Sequence, residues 1–257
     1  MAGESSKVSS GGKRSLALDP NIRARLGDTR YRLIKLWVQD VNGPFEAALA
    51  PHVSNPTVLL DAGCSRGDPD IPSIQRARQA VGCDVDLAGL RGNTLERDRV
   101  LAGLEALPFA DESFDVVVCK WVVEHLSAPR RIFREFWRVL RPGGVVAILT
   151  PNRFSMFALV ARLVPYRLKQ AFKAYLFGGH EEDTHPTLYR ANTIRALRRT
   201  MTAAAFVEER IAPLPGIWAF FIFLKPLALA VRAMEYVQLH TPGLRLMSTH
   251  IMGVWRK

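Results

Sequence analysis

Thr57-Val-Leu-Leu-Asp-Ala-Gly-Cys-Ser-Arg-Gly-Asp-Pro-Asp70 is the stretch that decides the fold. Val58, Leu59 and Leu60 form an apolar run with a β-branched start, which reads as a buried strand that Asp61 ends. Gly63 and Gly67 then bracket a loop of small and polar residues. Glycine takes positive φ without strain and leaves room for a ligand to press on bare backbone. A buried strand entering a glycine loop puts a ligand at the carboxyl end of a parallel sheet. A dinucleotide fingerprint would read G-x-G-x-x-G, with close glycines for a pyrophosphate at a helix N-terminus. Asp61-x-Gly63-x-x-x-Gly67 lacks the middle glycine and has an acid two residues before the first. An acid there repels a pyrophosphate and suits an ammonium group. The plain alternative is a tight strand-to-helix turn in some other α/β protein.

Outward from the loop, helix and strand patterns alternate. Ile74 to Ala80 reads as a short helix, and Val81 to Asp86 as a second strand with acids at its end. Asp84 lies 23 residues after Asp61. An acid about 20 residues beyond such a loop accepts both ribose hydroxyl protons of an adenosine cofactor. Asp84 is the candidate, Asp86 its competitor, and a solvated strand end the plain alternative. Arg99 to Phe109 contains a third short strand and its exit, and Asp111 to Cys119 a turn and a fourth. Val116-Val-Val118 has no polar alternation, the pattern of a strand buried on both faces of a parallel sheet. A helix over Pro129 to Leu140 precedes a fifth strand, Val145 to Thr150. Asn192 to Ala204 reads as a helix, Phe206 to Ala212 as a sixth strand, and His250 to Trp255 as a seventh. Before the loop, Tyr31 to Val41 has helical spacing that Gly43-Pro44 ends, and Phe45 to Ala50 is a second helical stretch.

The loop resembles the first motif of class I S-adenosylmethionine (SAM)-dependent methyltransferases, Asp-x-Gly-x-Gly-x-Gly, with Ser65 in place of the middle glycine. Gly82-x-Asp84-x-Asp86 resembles the second motif. The Leu104-Glu-Ala-Leu-Pro-Phe109 region resembles the stretch that faces adenine, with Gly103 where that family has an aspartate. Phe114-Asp-Val-Val, Glu124-His-Leu and Arg138-Val-Leu-Arg-Pro-Gly-Gly144 follow in the family's order. The resemblance covers residues 57–152 and is to the small-molecule type, similar to the ubiquinone-biosynthesis-like methyltransferases. It implies an α/β fold: a doubly wound, seven-stranded, mostly parallel Rossmann-like sheet with a helical cap, the seventh strand antiparallel between the fifth and sixth. It implies SAM as cofactor, held by Asp61, Gly63, Cys64, Gly67, Asp84, Val85, Leu104, Glu105 and Cys119. The expected organisation is a disordered tail over 1–20, cap helices over 21–56, the SAM-binding core over 57–152, and the rest of the sheet with a basic substrate cap over 153–257.

Methyl transfer from a sulfonium is an in-line displacement in which the protein holds donor and acceptor together. It needs no metal, and no cluster of ligating residues has metal spacing. A hydroxyl acceptor would use a base. His125 and His185 are the candidates, each with an ordinary packing or loop role as the alternative. Trp121, Tyr189 and Arg190 are candidates to line the acceptor. The implied reaction is methylation, of oxygen foremost, on a small or lipid-linked molecule. A nucleic-acid methyltransferase would suit the basic tail. However, Cys119-Lys-Trp-Val stands where enzymes acting on base amines carry Asp/Asn-Pro-Pro-Tyr/Phe, so nucleic acid is not the expected partner. Ser65 and Gly103 prompt a non-catalytic SAM-binding or interaction protein as a further alternative, and the glycine spacing disfavours a nicotinamide dehydrogenase.

The 257 residues accommodate one α/β domain with additions, and hydrophobic residues make up 48%, enough for a sizeable core. Cys64, Cys83 and Cys119 are sparse, odd in number and without metal spacing, which fits a reducing compartment and a cytoplasmic location. Met1 to Arg14 is polar, with no apolar core of a secretory leader. The net charge of +11 is uneven: residues 151–257 carry 15 basic and 6 acidic side chains. That excess favours an anionic partner. Phe154 to Phe177 and Ile217 to Val231 are apolar runs inside this basic region, both broken by proline, and Ile217 to Val231 is too short to span a bilayer. They are expected to cap the acceptor site. Whether they rest peripherally on an anionic membrane surface or pack as ordinary core turns on the exposure of Trp218, Phe220, Phe221 and Phe223.

Overall fold

The computed structural model of the chain describes residues 41–155, 186–216, 218, 221 and 224–257. Seven strands form one sheet: β1 (Val58–Ala62), β2 (Gln79–Asp84), β3 (Asp98–Leu101), β4 (Phe114–Lys120), β5 (Leu140–Pro151), β6 (Val207–Leu214) and β7 (His250–Arg256). Their order is β3-β2-β1-β4-β5-β7-β6. β1 to β5 pair in parallel, and β7 runs antiparallel to both β5 and β6. The expected doubly wound sheet, with its reversed seventh strand in the expected slot, is the fold.

Strand parity splits the core in two. Leu60, Ala62, Val117, Cys119, Val146 and Ile148 face one side. There they meet Phe133 and Phe136 of α4 (Pro129–Val139) and Leu197 and Met201 of α5 (Ile194–Thr202). Leu59, Val116, Val118, Ala147 and Leu149 face the other, against Val41, Phe45 and Leu49 of the helix over residues 41–49 (α1) and Ile71 and Ile74 around α2 (Pro72–Arg76). Alternate side chains of β4 are therefore apolar on both faces, which is why its valine run carries no polar alternation.

Several boundaries differ from the sequence reading. Gly43-Pro44, expected to break a helix, lies inside α1. The i, i+4, i+8 burial of Val41, Phe45 and Leu49 on the sheet outweighs the local helix-breaking preference. β1 runs on through Asp61 to Ala62, paired with Gly82 and Cys83 of β2. β2 starts at Gln79 and stops at Asp84, so Asp86 becomes the N-cap of α3 (Leu87–Gly92), its Oδ1 accepting from Ala88 N at 2.9 Å. β5 begins at Leu140, five residues early, because Arg141 to Gly144 extend along β4 through a register irregularity.

The last helix, α6 (Lys225–His240), connects β6 to β7. Both strands meet it at the sheet edge where β5 ends, since Leu214 and Pro151 each pair with His250. Asn152 Nδ2 donates to Leu246 O (2.8 Å) and Ser248 O (2.9 Å), tying the turn after α6 to the end of β5. Glu235 on α6 is buried, and its Oε1 accepts from Gly216 N (2.8 Å) and Thr249 Oγ1 (3.0 Å).

Candidate functional site

From β1 the chain winds outward through β2 and β3, and from β4 it winds the other way. Ligands bind where such a sheet reverses, beyond the carboxyl ends of its strands. The loop after β1 is pinned there by backbone. Gly63 N donates to Cys83 O at 2.7 Å, Gly67 N to Cys64 O at 2.7 Å, and Ser65 N to Asp84 Oδ2 at 2.7 Å. Asp84 Oδ1 accepts from Asp86 N at 2.9 Å. Gly63 has φ +83°, and a Cβ there would sit 2.2 Å from Val122 Cγ2. Ser65 has φ +44°, left-handed backbone at the position where the resembled motif has glycine.

A cavity of ≈ 510 Å³ opens above this loop. Gly63 and Ser65 line it after β1, Asp84, Val85 and Asp86 after β2, Leu104 and Glu105 after β3, and Trp121, Val122 and His125 after β4. Among the described residues its ionisable lining is Asp84, Asp86, Glu105 and His125, with no lysine or arginine. Among the described residues a pyrophosphate would meet three carboxylates and no fixed cation, whereas a ligand with an ammonium group and free hydroxyls finds acceptors. The lining thus fits SAM and not a dinucleotide.

Of the residues expected here, Gly63, Asp84, Val85, Leu104, Glu105, Trp121 and His125 line the cavity. Asp61 does not. Strand parity buries its carboxyl on the face of Leu59, and burial with Glu96 and Asp68 nearby pushes it well above the ordinary carboxylate range. Glu96 is buried beside it. Lys120 pairs instead with Asp68. The acids that line the cavity are Asp84, Asp86 and Glu105. Cys64 and Gly67 lie beneath and beyond the cavity, supporting the loop: Cys64 is buried beside Gly82, and Gly67 lies against Asn93 and Leu95. Cys119 is a core side chain of β4, its thiol pushed up by burial. Tyr189 and Arg190 lie off the cavity, with Arg190 Nη1 on Ser127 O at 2.7 Å. His185 lies outside the described residues. Ser65, read from the sequence as the motif's departure, also lines it; Ala102, Val122, Leu126, Ser127, Ile132, Pro186 and Leu188 were not singled out by sequence, which carries no chemical mark on such small or apolar residues.

After β4 the backbone is strained at Trp121 (φ +58°) and, across the cavity mouth, at Tyr189 (φ +50°). Glu124 O accepts from both Leu188 N (2.7 Å) and Tyr189 N (3.0 Å), holding that segment over the site. The Glu124 carboxyl is buried, which raises it to about 7, and Thr150 Oγ1 donates to it at 3.0 Å. Asn192 Nδ2 donates in turn to Thr150 Oγ1 at 2.5 Å. His125 Nδ1 lies 3.0 Å from Pro186 O. A carbonyl only accepts, so Nδ1 donates, and Nε2 lies 3.9 Å from Glu124 Oε1. Trp121 packs edge-on against His250 with ring centroids 5.0 Å apart. His250 is buried and depressed to about 4, with Nδ1 donating to Pro215 O at 2.9 Å.

Residues 60–148 match the family model described as "Methyltransferase domain". Among curated relatives, a Mycolicibacterium smegmatis protein named "Probable S-adenosylmethionine-dependent methyltransferase" is 39% identical over 100 residues, 38% of this chain and 39% of that protein. A malonyl-[acyl-carrier protein] O-methyltransferase of Salmonella typhimurium is 34% identical over 165 residues, 62% of each chain. A demethylmenaquinone methyltransferase of Roseiflexus castenholzii is 36% identical over 120 residues, 41% of this chain and 50% of that one. The chain thus spans between 39% and 62% of these relatives' lengths. The crystal structure of a SAM-dependent methyltransferase from Mesorhizobium loti superposes with a TM-score of 0.55 at 16% identity, covering 86% of this chain and 100% of that one, a likeness of fold. Residues 60–148 thus match a methyltransferase domain, and they sit on a sheet whose fold is that of the solved SAM-dependent methyltransferase.

Proposed function

We propose that this chain transfers a methyl group from SAM to a small or lipid-linked acceptor, with an oxygen as the accepting atom. The observation that carries the reading is the cavity at the sheet's reversal point, lined by Gly63, Ser65, Asp84 and Leu104 within the matched domain and, among the described residues, by no lysine or arginine. When bound there, SAM supplies an electrophilic methyl on a sulfonium. Asp84 is the residue to hold the ribose hydroxyls. Each of its oxygens already accepts one backbone N–H and keeps a second lone-pair direction. The bare backbone at Gly63 admits the amino-acid end. Val85 and Leu104 supply apolar surface for adenine, and the backbone at Leu104 and Glu105 can read its edge. His125 Nε2 is the base for an acceptor hydroxyl, with Trp121 beside it.

Names of relatives support the acceptor class: one acts on demethylmenaquinone and one on an acyl-carrier-bound malonyl group, a lipid and a carrier-linked acid. Among the described residues no helix is long and apolar enough to cross a membrane, so a lipid-linked acceptor would be met from the membrane's surface. Incubation with methyl-labelled SAM and fractionated cell extract tests the reading. Label is expected in the small-molecule or lipid fraction, and label confined to RNA or DNA would overturn it.

A further inference from the structure

α6 is built inside out. Ala228, Glu235 and Gln238 point inward, two of the three polar. The outward arc carries Leu227, Leu229, Met234, Tyr236 and Val237, at 37%, 66%, 40%, 65% and 59% exposure, with exposed Ala230 and Ala233 between them. At 100° per residue these occupy one continuous side of the helix, bordered by Arg232. The turn after α6 extends the patch through Leu244 and Leu246, 46% and 54% exposed. Solvated helices normally show the opposite polarity, and a connected apolar surface of this kind marks a docking face.

Its rim is cationic. A groove of ≈ 780 Å³ joins Leu246 to Arg195, Arg198 and Arg199 of α5. Arg198 pairs with Glu208, while the exposed guanidinium groups of Arg195, Arg199 and Arg245, and the ammonium of Lys225, have no acidic partner among the described residues. Beyond Glu209 the sequence has one acid, Glu235, and it is turned inward onto Gly216 and Thr249. Among the described residues, the outer surface of this region therefore offers apolar side chains and positive charge in excess of its carboxylates, of which Glu208 is already paired with Arg198. A second copy of the chain would bring the same cations against these, so an anionic occupant is favoured. The face lies at the edge of the sheet where the candidate site opens, because α6 joins the ends of β6 and β7 that pair beside Pro151.

We propose that the outward face of α6, with the arginines of α5 and the following turn as its rim, docks on an anionic lipid bilayer. The apolar arc enters the headgroup boundary and the cations meet lipid phosphates. For its purpose this rests on the lipid-linked part of the proposed function; for the binding it rests on the surface alone. It also reassigns the membrane contact. Trp218, one of the aromatics on which the sequence question turned, is buried under Arg232, whose guanidinium lies 5.0 Å from its ring. Phe220 and Phe223 lie outside the described residues.

The test is co-sedimentation of the full chain with vesicles of equal parts phosphatidylglycerol and phosphatidylcholine, and with phosphatidylcholine alone. Two variants accompany it, Leu229→Glu/Val237→Glu and Arg195→Ser/Arg199→Ser/Arg245→Ser, with thermal melts and SAM calorimetry as controls. The wild type is expected to pellet with anionic vesicles and to be released by high salt. An arginine near such a surface is worth about fivefold in partitioning, so the triple variant should lose roughly a hundredfold. The glutamate pair should lose at least about tenfold. Wild-type protein left in the supernatant with anionic vesicles at low salt would overturn the proposal, as would wild-type binding by either variant. So would a wild-type dimer that the glutamate pair dissolves without any vesicle binding, which would make the face a self-interface. Vesicle binding without SAM binding would instead refute the proposed function and leave the docking face standing.

Discussion

The backbone N–H of Ser65 and the carboxylate of Asp84 meet at 2.7 Å, joining the loop after β1 to the end of β2 across the mouth of the cavity. This one bond places a left-handed serine, φ +44°, at the centre of the candidate cofactor loop. A side chain there carries a strain that glycine would not.

Replacing that serine separates conformation from chemistry. Ser65→Gly should leave stability unchanged or raise it by up to about 1 kcal/mol, relief of strain being partly offset by a freer unfolded chain. Ser65→Val, β-branched in the left-handed region, should cost about 1–2 kcal/mol. Urea melts of the two variants report the difference, and equal stability would mean that the loop does not hold this φ.

Gly63 is constrained more tightly, by both its φ of +83° and the 2.2 Å approach a Cβ would make to Val122 Cγ2. Gly63→Ala should cost at least about 2 kcal/mol and displace the Trp121–Val122 wall of the cavity. A variant with wild-type Tm would contradict the packing of this loop.

Glu124 gives a pH signature. In the folded chain its carboxyl is raised by burial from 4.5 to about 7. Between those values the folded state keeps a proton that the unfolded chain has released, so this group's contribution to stability falls as pH rises through the window and stays low above it. Glu124→Gln keeps an acceptor for Thr150 and does not titrate. The wild type should therefore lose up to about 3 kcal/mol relative to the variant on going from pH 4.5 to pH 7. Parallel stability curves for the two proteins would show that Glu124 is ionised throughout.

The base assignment is read from activity. His125→Gln should lower methyl transfer to a hydroxyl acceptor by about 10²-fold or more while SAM affinity stays within about twofold. Rate and affinity lost together would make His125 a packing residue, and neither changing would remove it from the site.

How much could be read beforehand depended on which force wrote each residue. Val116 to Val118 are apolar because both faces of β4 are covered, so burial alone told of a central parallel strand. The acid at Asp84 and the glycine at Gly63 are required by a ligand loop of this shape, and both reach the cavity. Asp61's identity says nothing of strand parity: β1 pairs on through it, and its carboxyl is buried beside Glu96. Tyr189 and Arg190 have the right chemistry, but the bonds from Leu188 and Tyr189 to Glu124 O fix a segment whose course is set by tertiary contact. α6 was least legible of all. Its inward face carries Glu235, which accepts from Gly216 N, and its outward face is apolar, so periodicity could not orient it.

The central claim, a SAM site organised on Asp84, is tested most directly by titration calorimetry of SAM into the wild type and the Asp84→Ala variant. Each charge-assisted bond to a ribose hydroxyl is worth about 1.5–3 kcal/mol, so the wild type should bind and the variant should be at least about thirtyfold weaker with its fold intact. A wild type that does not bind SAM, or a folded variant with unchanged affinity, would contradict the account.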